Sequence, residues 1–312
     1  MTPTHGIVLM TFGSAQTAGE VPAYMRSVRH GGEPDPGVVA EFQRRYQVVG
    51  WSPLVRITQE QATGVERLLA ERHGEGVYGV RAGMLHSAPT IDAAVRELSE
   101  NGAQDYLGIV LAPQYSPLIM GGYDRALEAA VARHAEGAEW AVAEPWHRVP
   151  AFIDDLSDRL AAALGKLPDP DRTEVLFTTH SLPKTVLDRD PAYLEQIHET
   201  IALVVERAGL PPERWQFAYQ SAGHTPEPWL TPDLKDLLRP LRERGRTAVL
   251  VVPVQFLADH LEILYDLDVA AREEAEEAGI AYHRVELPNT RPTFLAALAD
   301  VVDRERAPSG TR

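Results

Sequence analysis

The sequence predicts an α/β protein of two domains, each a parallel sheet flanked by helices, on three observations. Short apolar runs that end in small or turn-forming residues alternate with amphipathic stretches of helical length, the pattern of successive βα units. Two of those runs echo each other across the chain: Val8-Leu9-Met10-Thr11-Phe12-Gly13-Ser14 and Val175-Leu176-Phe177-Thr178-Thr179-His180-Ser181 share Val, Leu, Thr and Ser without a gap. The length of 312 residues exceeds a usual single domain, and 44% hydrophobic composition suffices for two cores.

The elements follow in order. Strands are predicted at Gly6–Thr11, Val77–Ala82, Tyr106–Ala112, Ala141–Ala143, Glu174–Thr179, Trp215–Tyr219, Ala248–Pro253 and Ala281–Val285, each a brief run rich in β-formers. A helix is predicted at Thr90–Asn101, stopped by Gly102. A second spans Asp190–Ala208, with Asp190 as cap, Pro191 in the first turn and Gly209 as terminator. A third runs from Asp259 to about Ala278, before Gly279. A domain boundary is expected near Pro145–Pro150, giving domains of 1–147 and 148–312, with the final helix packing back on the first domain. If the halves are duplicates, Phe12 and His180 lie at the carboxyl ends of corresponding strands, where open α/β sheets bind ligands.

Composition narrows the chemistry. Lys+Arg 30 against Asp+Glu 45 gives a formal net charge of −15, which disfavours nucleic acid as a partner. With no cysteine, disulfides, thiolate zinc sites, cysteine nucleophiles and cysteine-ligated iron–sulfur clusters are excluded. No stretch approaches the roughly 20 apolar residues of a membrane span, and no secretory signal is read at the N-terminus, so a cytoplasmic protein is expected. No Walker A, G-x-G-x-x-G, H-E-x-x-H or G-x-S-x-G element occurs.

Three groups of residues remain as candidates. His180 ends an apolar strand before Ser181-Leu182-Pro183, so its imidazole either points into a cleft, able to bind a borderline metal or take a proton near neutrality, or is hydrogen-bonded within the turn. Asp259, Glu262 and Asp266 stand at i, i+3 and i+7, one face of an α-helix. That row reads as a path for a hydrated cation, as a solvated acidic face, or as a capping box of Asp259 with Glu262. His260 lies about 200° around such a helix from Glu262 and is not expected to share a ligand with it. Between Arg26 and Ser52, Arg29, Arg44, Arg45 and Tyr46 flank the turn Gly31–Pro36, a local basic cluster suited to a small anionic ligand. The loops Gly121-Gly122-Tyr123 and Gln220–Pro226 read as sheet-end loops without a diagnostic pattern.

Taken together, the motifs resemble the ferrochelatases along nearly the whole chain. Thr178-Thr179-His180-Ser181-Leu182-Pro183 is similar to that family's histidine motif and Asp259-His260-Leu261-Glu262-Ile263-Leu264-Tyr265-Asp266 to its glutamate motif. Between them, Tyr219-Gln220-Ser221 and Pro228-Trp229-Leu230-Thr231-Pro232 resemble its Q-S…P-W-L-x-P block. The resemblance implies two pseudo-symmetric Rossmann-like, chelatase-type domains holding a porphyrin, with His180 and Glu262 as catalytic and metal-handling residues and Asp266 as an accessory. It implies porphyrin contacts at Phe12, Arg29, Arg45, Tyr46, Ser52 and Tyr123, and is strongest to the coproporphyrin III ferrochelatases of Gram-positive and related bacteria. Fe²⁺ is then substrate, with no permanently bound cofactor and no iron–sulfur cluster. A monomer is expected, with the next haem-pathway enzyme as a candidate partner. Protoporphyrin IX as substrate, another metal's chelatase and a non-catalytic haem or iron carrier are the alternatives. Two departures stand out: Phe12 occupies a position where some family members have Tyr, and Ala270 ends the acidic row where some have Glu. His86 matches a further family histidine.

Overall fold

Eight apolar runs become eight strands in the computed structural model, which describes residues 3–223 and 227–306. The order is β1 (His5–Thr11), α1 (Val21–Val28), α2 (Pro36–Val49), α3 (Leu54–His73), β2 (Tyr78–Met84), α4 (Ile91–Glu100), β3 (Asp105–Val110), α5 (Pro117–His134) and β4 (Glu139–Val142). It continues with α6 (Pro150–Leu164), β5 (Thr173–His180), α7 (Lys184–Arg189), α8 (Ala192–Ala208), β6 (Trp215–Gln220), α9 (Leu234–Glu243) and β7 (Ala248–Pro253). A π-helix (Glu262–Ala271), α10 (Arg272–Glu277), β8 (Ala281–Arg284) and α11 (Pro292–Arg306) complete it. The chain divides into two compact units: Met1–Ala151 with Ala258–Leu261 and Asn289–Arg312, and Phe152–Leu257 with Glu262–Pro288.

Each unit is built on a four-stranded parallel sheet, ordered β2-β1-β3-β4 in the first and β6-β5-β7-β8 in the second. Substituting β5 to β8 for β1 to β4 makes the two orders identical, so the echo between Val8–Ser14 and Val175–Ser181 marks equivalent central strands. Because helices cover both faces, these strands are apolar without alternation. Ile7, Val8, Leu9 and Met10 are wholly buried, as are Val175, Leu176 and Phe177. In the second unit Leu176, Val249 and Val251 meet Leu234, Leu238 and Leu241 of α9 and Ile263, Leu267 and Ala271 of the π-helix in one core.

The edge of the first sheet is closed by side chains. Glu66 accepts from the Val80 backbone N–H at 2.7 Å and also binds Arg81 at 2.8 Å, so β2 does not present that donor to another strand. Thr90 caps α4 through a bond from Ala93 N–H at 3.1 Å. Asp190 corrects the sequence reading: it follows α7, donating its N–H to Val186, while Pro191 stands at the head of α8 and Gly209 closes it in the left-handed region. Proline pre-sets the helical φ and lacks the N–H that a first turn leaves unpaired, so it starts α8 without a capping side chain.

The helix expected from Asp259 to Ala278 is corrected as well. Asp259 lies outside it, locked to Asn289 by a reciprocal pair: its N–H donates to Asn289 Oδ1 at 2.9 Å, and Asn289 Nδ2 donates to its carboxylate at 2.8 Å. Regular structure with five-residue bonding starts at Glu262, so Asp259 is not on the helix and the three-carboxylate row does not form.

Candidate functional site

His180 is the last residue of β5, at the carboxyl edge of the second sheet, in register with Gln220 of β6. The turn beyond it is held on two sides. Ser181 N–H donates to Gln220 carbonyl at 2.7 Å, and Ser181 Oγ donates to the Leu230 carbonyl at 3.0 Å. Leu230 N–H donates to Leu182 and Lys184 N–H to Pro228. The Pro228–Leu230 segment thus braces the histidine turn, and the Trp229 ring lies 6.5 Å from the imidazole. Of the loop Gln220–Pro226, residues 224–226 lie outside the described residues.

The imidazole has a defined orientation. Its Nδ1 bonds the Ser181 carbonyl, which only accepts, so Nδ1 is a donor and the remaining basic position of the ring is Nε2. Nε2 stands 3.7 Å from Glu262 Oε1, and the two side chains are 26% and 43% exposed, so both are reachable from outside. At 3.7 Å the two atoms are too far apart for a hydrogen bond. Behind the histidine, Gln255 after β7 accepts from His180 N–H at 3.2 Å and from the Thr179 hydroxyl, while its amide nitrogen donates to Tyr193 Oη on α8. Tyr193 is buried, and burial pushes its hydroxyl well above its ordinary range, so it stays neutral. Sequence reasoning did not single out Gln255 and Tyr193. Gln255 stood in plain view at the end of an apolar strand, where a polar side chain has reason to bond inward.

Glu262 opens the π-helix. Burial at Ile263, Leu267 and Ala271 recurs every fourth residue, which anchors one stripe in the core. Glu262 and Asp266, each one position earlier, therefore share the adjacent stripe, and Ala270 ends it. The wider π turn keeps an i, i+4 pair aligned, and such turns recur at functional sites. Asp268 fixes the helix to β8 through a two-pronged pair with Arg284 at 2.7 and 2.6 Å. His260 Nδ1 bonds the Ala258 carbonyl at 2.9 Å.

The other sequence-selected residues belong to the first unit. Phe12 follows β1 and is 42% exposed, with Tyr24 and His86 edge-on at 6.5 and 4.5 Å. The reversal at Gly13 has φ of 92°, and a Cβ there would meet Ser87 Oγ at 2.5 Å, so glycine is required for the two loops to touch. His86 N–H donates to the Phe12 carbonyl, and its Nδ1 meets Ser27 Oγ at 3.0 Å. Arg29 is exposed at the end of α1. Arg45 lies on α2 with its Nε on Glu41 at 2.9 Å. Tyr46 is buried, its hydroxyl shared with Ser14 at 2.9 Å and its ring stacked on Trp51 at 5.4 Å. Ser52 is buried and accepts from Leu54 N–H at 3.4 Å. Tyr123 is buried on α5, its hydroxyl raised by desolvation. The structure therefore joins Phe12, Tyr24 and His86 in an open aromatic face and ties Tyr46 to the loop after β1, with Tyr123 on a separate helix.

Burial of three imidazoles gives a pH signature. His86, His198 and His283 are all lowered, chiefly by desolvation, with His30 adding to the effect at His86 and Arg272 at His283. A folded pKa below the unfolded value near 6.5 means the unfolded chain binds more protons, so this stability is complete above pH 6.5 and lost as pH falls below it. Thermal midpoints are expected to drop between pH 6.5 and 5, and less steeply in His86→Gln. Identical slopes in the two proteins would remove His86 from the account.

Comparison with known proteins yields consistent relatives. The family model described as Ferrochelatase matches residues 4–306. A protein named Ferrochelatase from Deinococcus radiodurans is 36% identical, covering 97% of this chain and 96% of its own length. A protein named Coproporphyrin III ferrochelatase from Halalkalibacterium halodurans is 36% identical over 97% of each chain. One of the same name from Bacillus subtilis is 35% identical over 95% of this chain and 96% of its own. Among solved structures, SirB from Bacillus subtilis with Fe³⁺ has a TM-score of 0.60 at 11% identity, covering 97% of this chain and 96% of its own. CbiX, titled the terminal enzyme for sirohaem biosynthesis in denitrifying bacteria, has a TM-score of 0.54 at 16% identity, covering 97% and 99%. These likenesses establish the chelatase-type fold. Among the described residues, no helix is long and apolar enough to cross a membrane.

Proposed function

We propose, from the premise that this chain belongs to the ferrochelatase family and is a metal chelatase, that it inserts Fe²⁺ into coproporphyrin III. The observation that carries the reading is the Nε2 lone pair of His180 facing the Glu262 carboxylate across 3.7 Å. Donor–metal distances of about 2.0–2.2 Å let one first-row ion touch both atoms at an N–metal–O angle of roughly 120°. One imidazole and one carboxylate hold such an ion loosely, which suits a donor that must give its metal up.

Metallation also removes two protons from the inner pyrrole nitrogens. As the metal passes to the ring, the lone pair it frees on His180 Nε2 takes one of them and the Glu262 carboxylate opposite takes the other. Gln255 and Tyr193 keep β5 and the imidazole from turning as the charge changes. The open face of Phe12, Tyr24 and His86 offers ring-on-ring contact to the macrocycle, and Arg29 and Arg45 offer guanidinium partners for its carboxylates. Coproporphyrin III carries four such carboxylates, protoporphyrin IX two, and a basic cluster in a chain of charge −15 favours the former. Two of the relatives bear the coproporphyrin name. Phe12 supplies no oxygen to iron, so the product is expected without an axial ligand from that position.

Anaerobic mixing of the purified protein with Fe²⁺ and coproporphyrin III, followed at the Soret band, tests the reading. Many turnovers per protein are expected, with protoporphyrin IX slower. Stoichiometric binding without turnover indicates a carrier, and a preference for protoporphyrin IX overturns the substrate.

A further inference from the structure

We propose that Glu41 is an internal occupant of the carboxylate-binding arginines, a group the substrate's carboxylates must displace, so that it tunes affinity for porphyrins by their charge. The inference rests on the reading above, in which Arg45 meets the substrate.

Helix α2 brings Glu41 one turn before Arg44 and Arg45. Its carboxylate forks onto Arg44, with Nε at 2.8 Å and Nη2 at 2.9 Å, and takes Arg45 Nε at 2.9 Å. One carboxylate thus engages two guanidiniums with the geometry that a propionate would use. The side chains of Arg44, Arg45 and Glu41 are 53%, 28% and 41% exposed, open to exchange with a solute. Exposed helix pairs of this kind add little to stability, so the fold does not require the arrangement. It recurs nearby: Glu33 forks onto Arg26 at 2.7 and 2.9 Å, three residues from the exposed Arg29. The Glu41 charge persists under mild acid, because hydrogen bonds from Arg44 and then Arg45 hold its carboxyl at about 2. An anionic ligand approaching Arg45 therefore meets a fixed negative charge a few ångströms away, inside the screening length of about 8–10 Å.

Metal-free titration of coproporphyrin III fluorescence into wild type and Glu41→Gln at low ionic strength tests this. Removal of one charge at about 5 Å in a high-dielectric setting is expected to lower Kd roughly three- to fivefold, a gain that vanishes in about 1 M salt. The tetramethyl ester of the same porphyrin, carried in detergent, should bind both proteins alike. Glu41→Asp, too short to span both arginines, is expected in between and serves if the first variant misfolds. An unchanged or higher Kd for coproporphyrin III, or an equal gain with the ester, overturns the proposal. Because the titration needs no iron, a wild type that binds the porphyrin and fails to metallate it would sink the proposed reaction alone.

Discussion

Replacing His180 with alanine is expected to lower kcat for metallation by about 10²–10⁴-fold, the usual contribution of a positioned base, with KM for the porphyrin close to wild type. The imidazole stands at the carboxyl end of β5, held by a bond on Nδ1 with Nε2 facing Glu262. Glu262→Gln keeps the shape of the π-helix start and removes the negative charge opposite Nε2, so a comparable loss follows. Because the two side chains face each other at 3.7 Å and act on one transfer, the double variant should be little worse than either single one. Steady-state rates at the Soret band, with circular dichroism to verify folding, measure all three. A fall below tenfold in His180→Ala, or losses that multiply in the double variant, would refute the shared role.

The largest effect on stability is expected away from the site. On α6, Asp155 and Arg159 form an ion pair at 2.7 Å with side chains 0% and 4% exposed, and Arg159 also donates to the Glu286 carbonyl at 2.8 Å. Asp155→Ala removes the carboxylate that Arg159 bonds in a dry interior, which costs about 3–5 kcal/mol. Changing both residues to leucine and methionine removes both buried charges and is expected to be far milder, or even stabilising. Urea unfolding of the two variants compares them. A loss under about 1 kcal/mol in Asp155→Ala would mean that water reaches Arg159.

Much of this molecule is legible along the chain, and particular residues explain why. Val8-Leu9-Met10 and Val249-Leu250-Val251-Val252 must be buried on both faces, and only a strand in a covered parallel sheet does that, so local composition specified β1 and β7. His180 was legible for the same reason: a polar residue ending such a run emerges at the edge where the sheet opens. The helix after Asp259 misled, because spacing assumes 3.6 residues per turn, and sequence alone does not reveal that Asn289, 30 residues on, captures Asp259 in place of the helix. Gln255 and Tyr193 escaped because their meeting depends on the order in which β5, β7 and α8 pack.

The run of residues by itself therefore determined strands of covered parallel sheets alternating with helices, the strand ends that offer chemistry, and an acidic, cysteine-free chain. Local propensity and burial periodicity act over a few neighbours, and those features need nothing more. Tertiary structure alone decided that Gln255 links His180 to Tyr193 and that Glu262 rather than Asp259 begins the π-helix. Each depends on partners brought together by packing, across a turn, a sheet or the face of a helix, at distances that one-dimensional spacing does not encode.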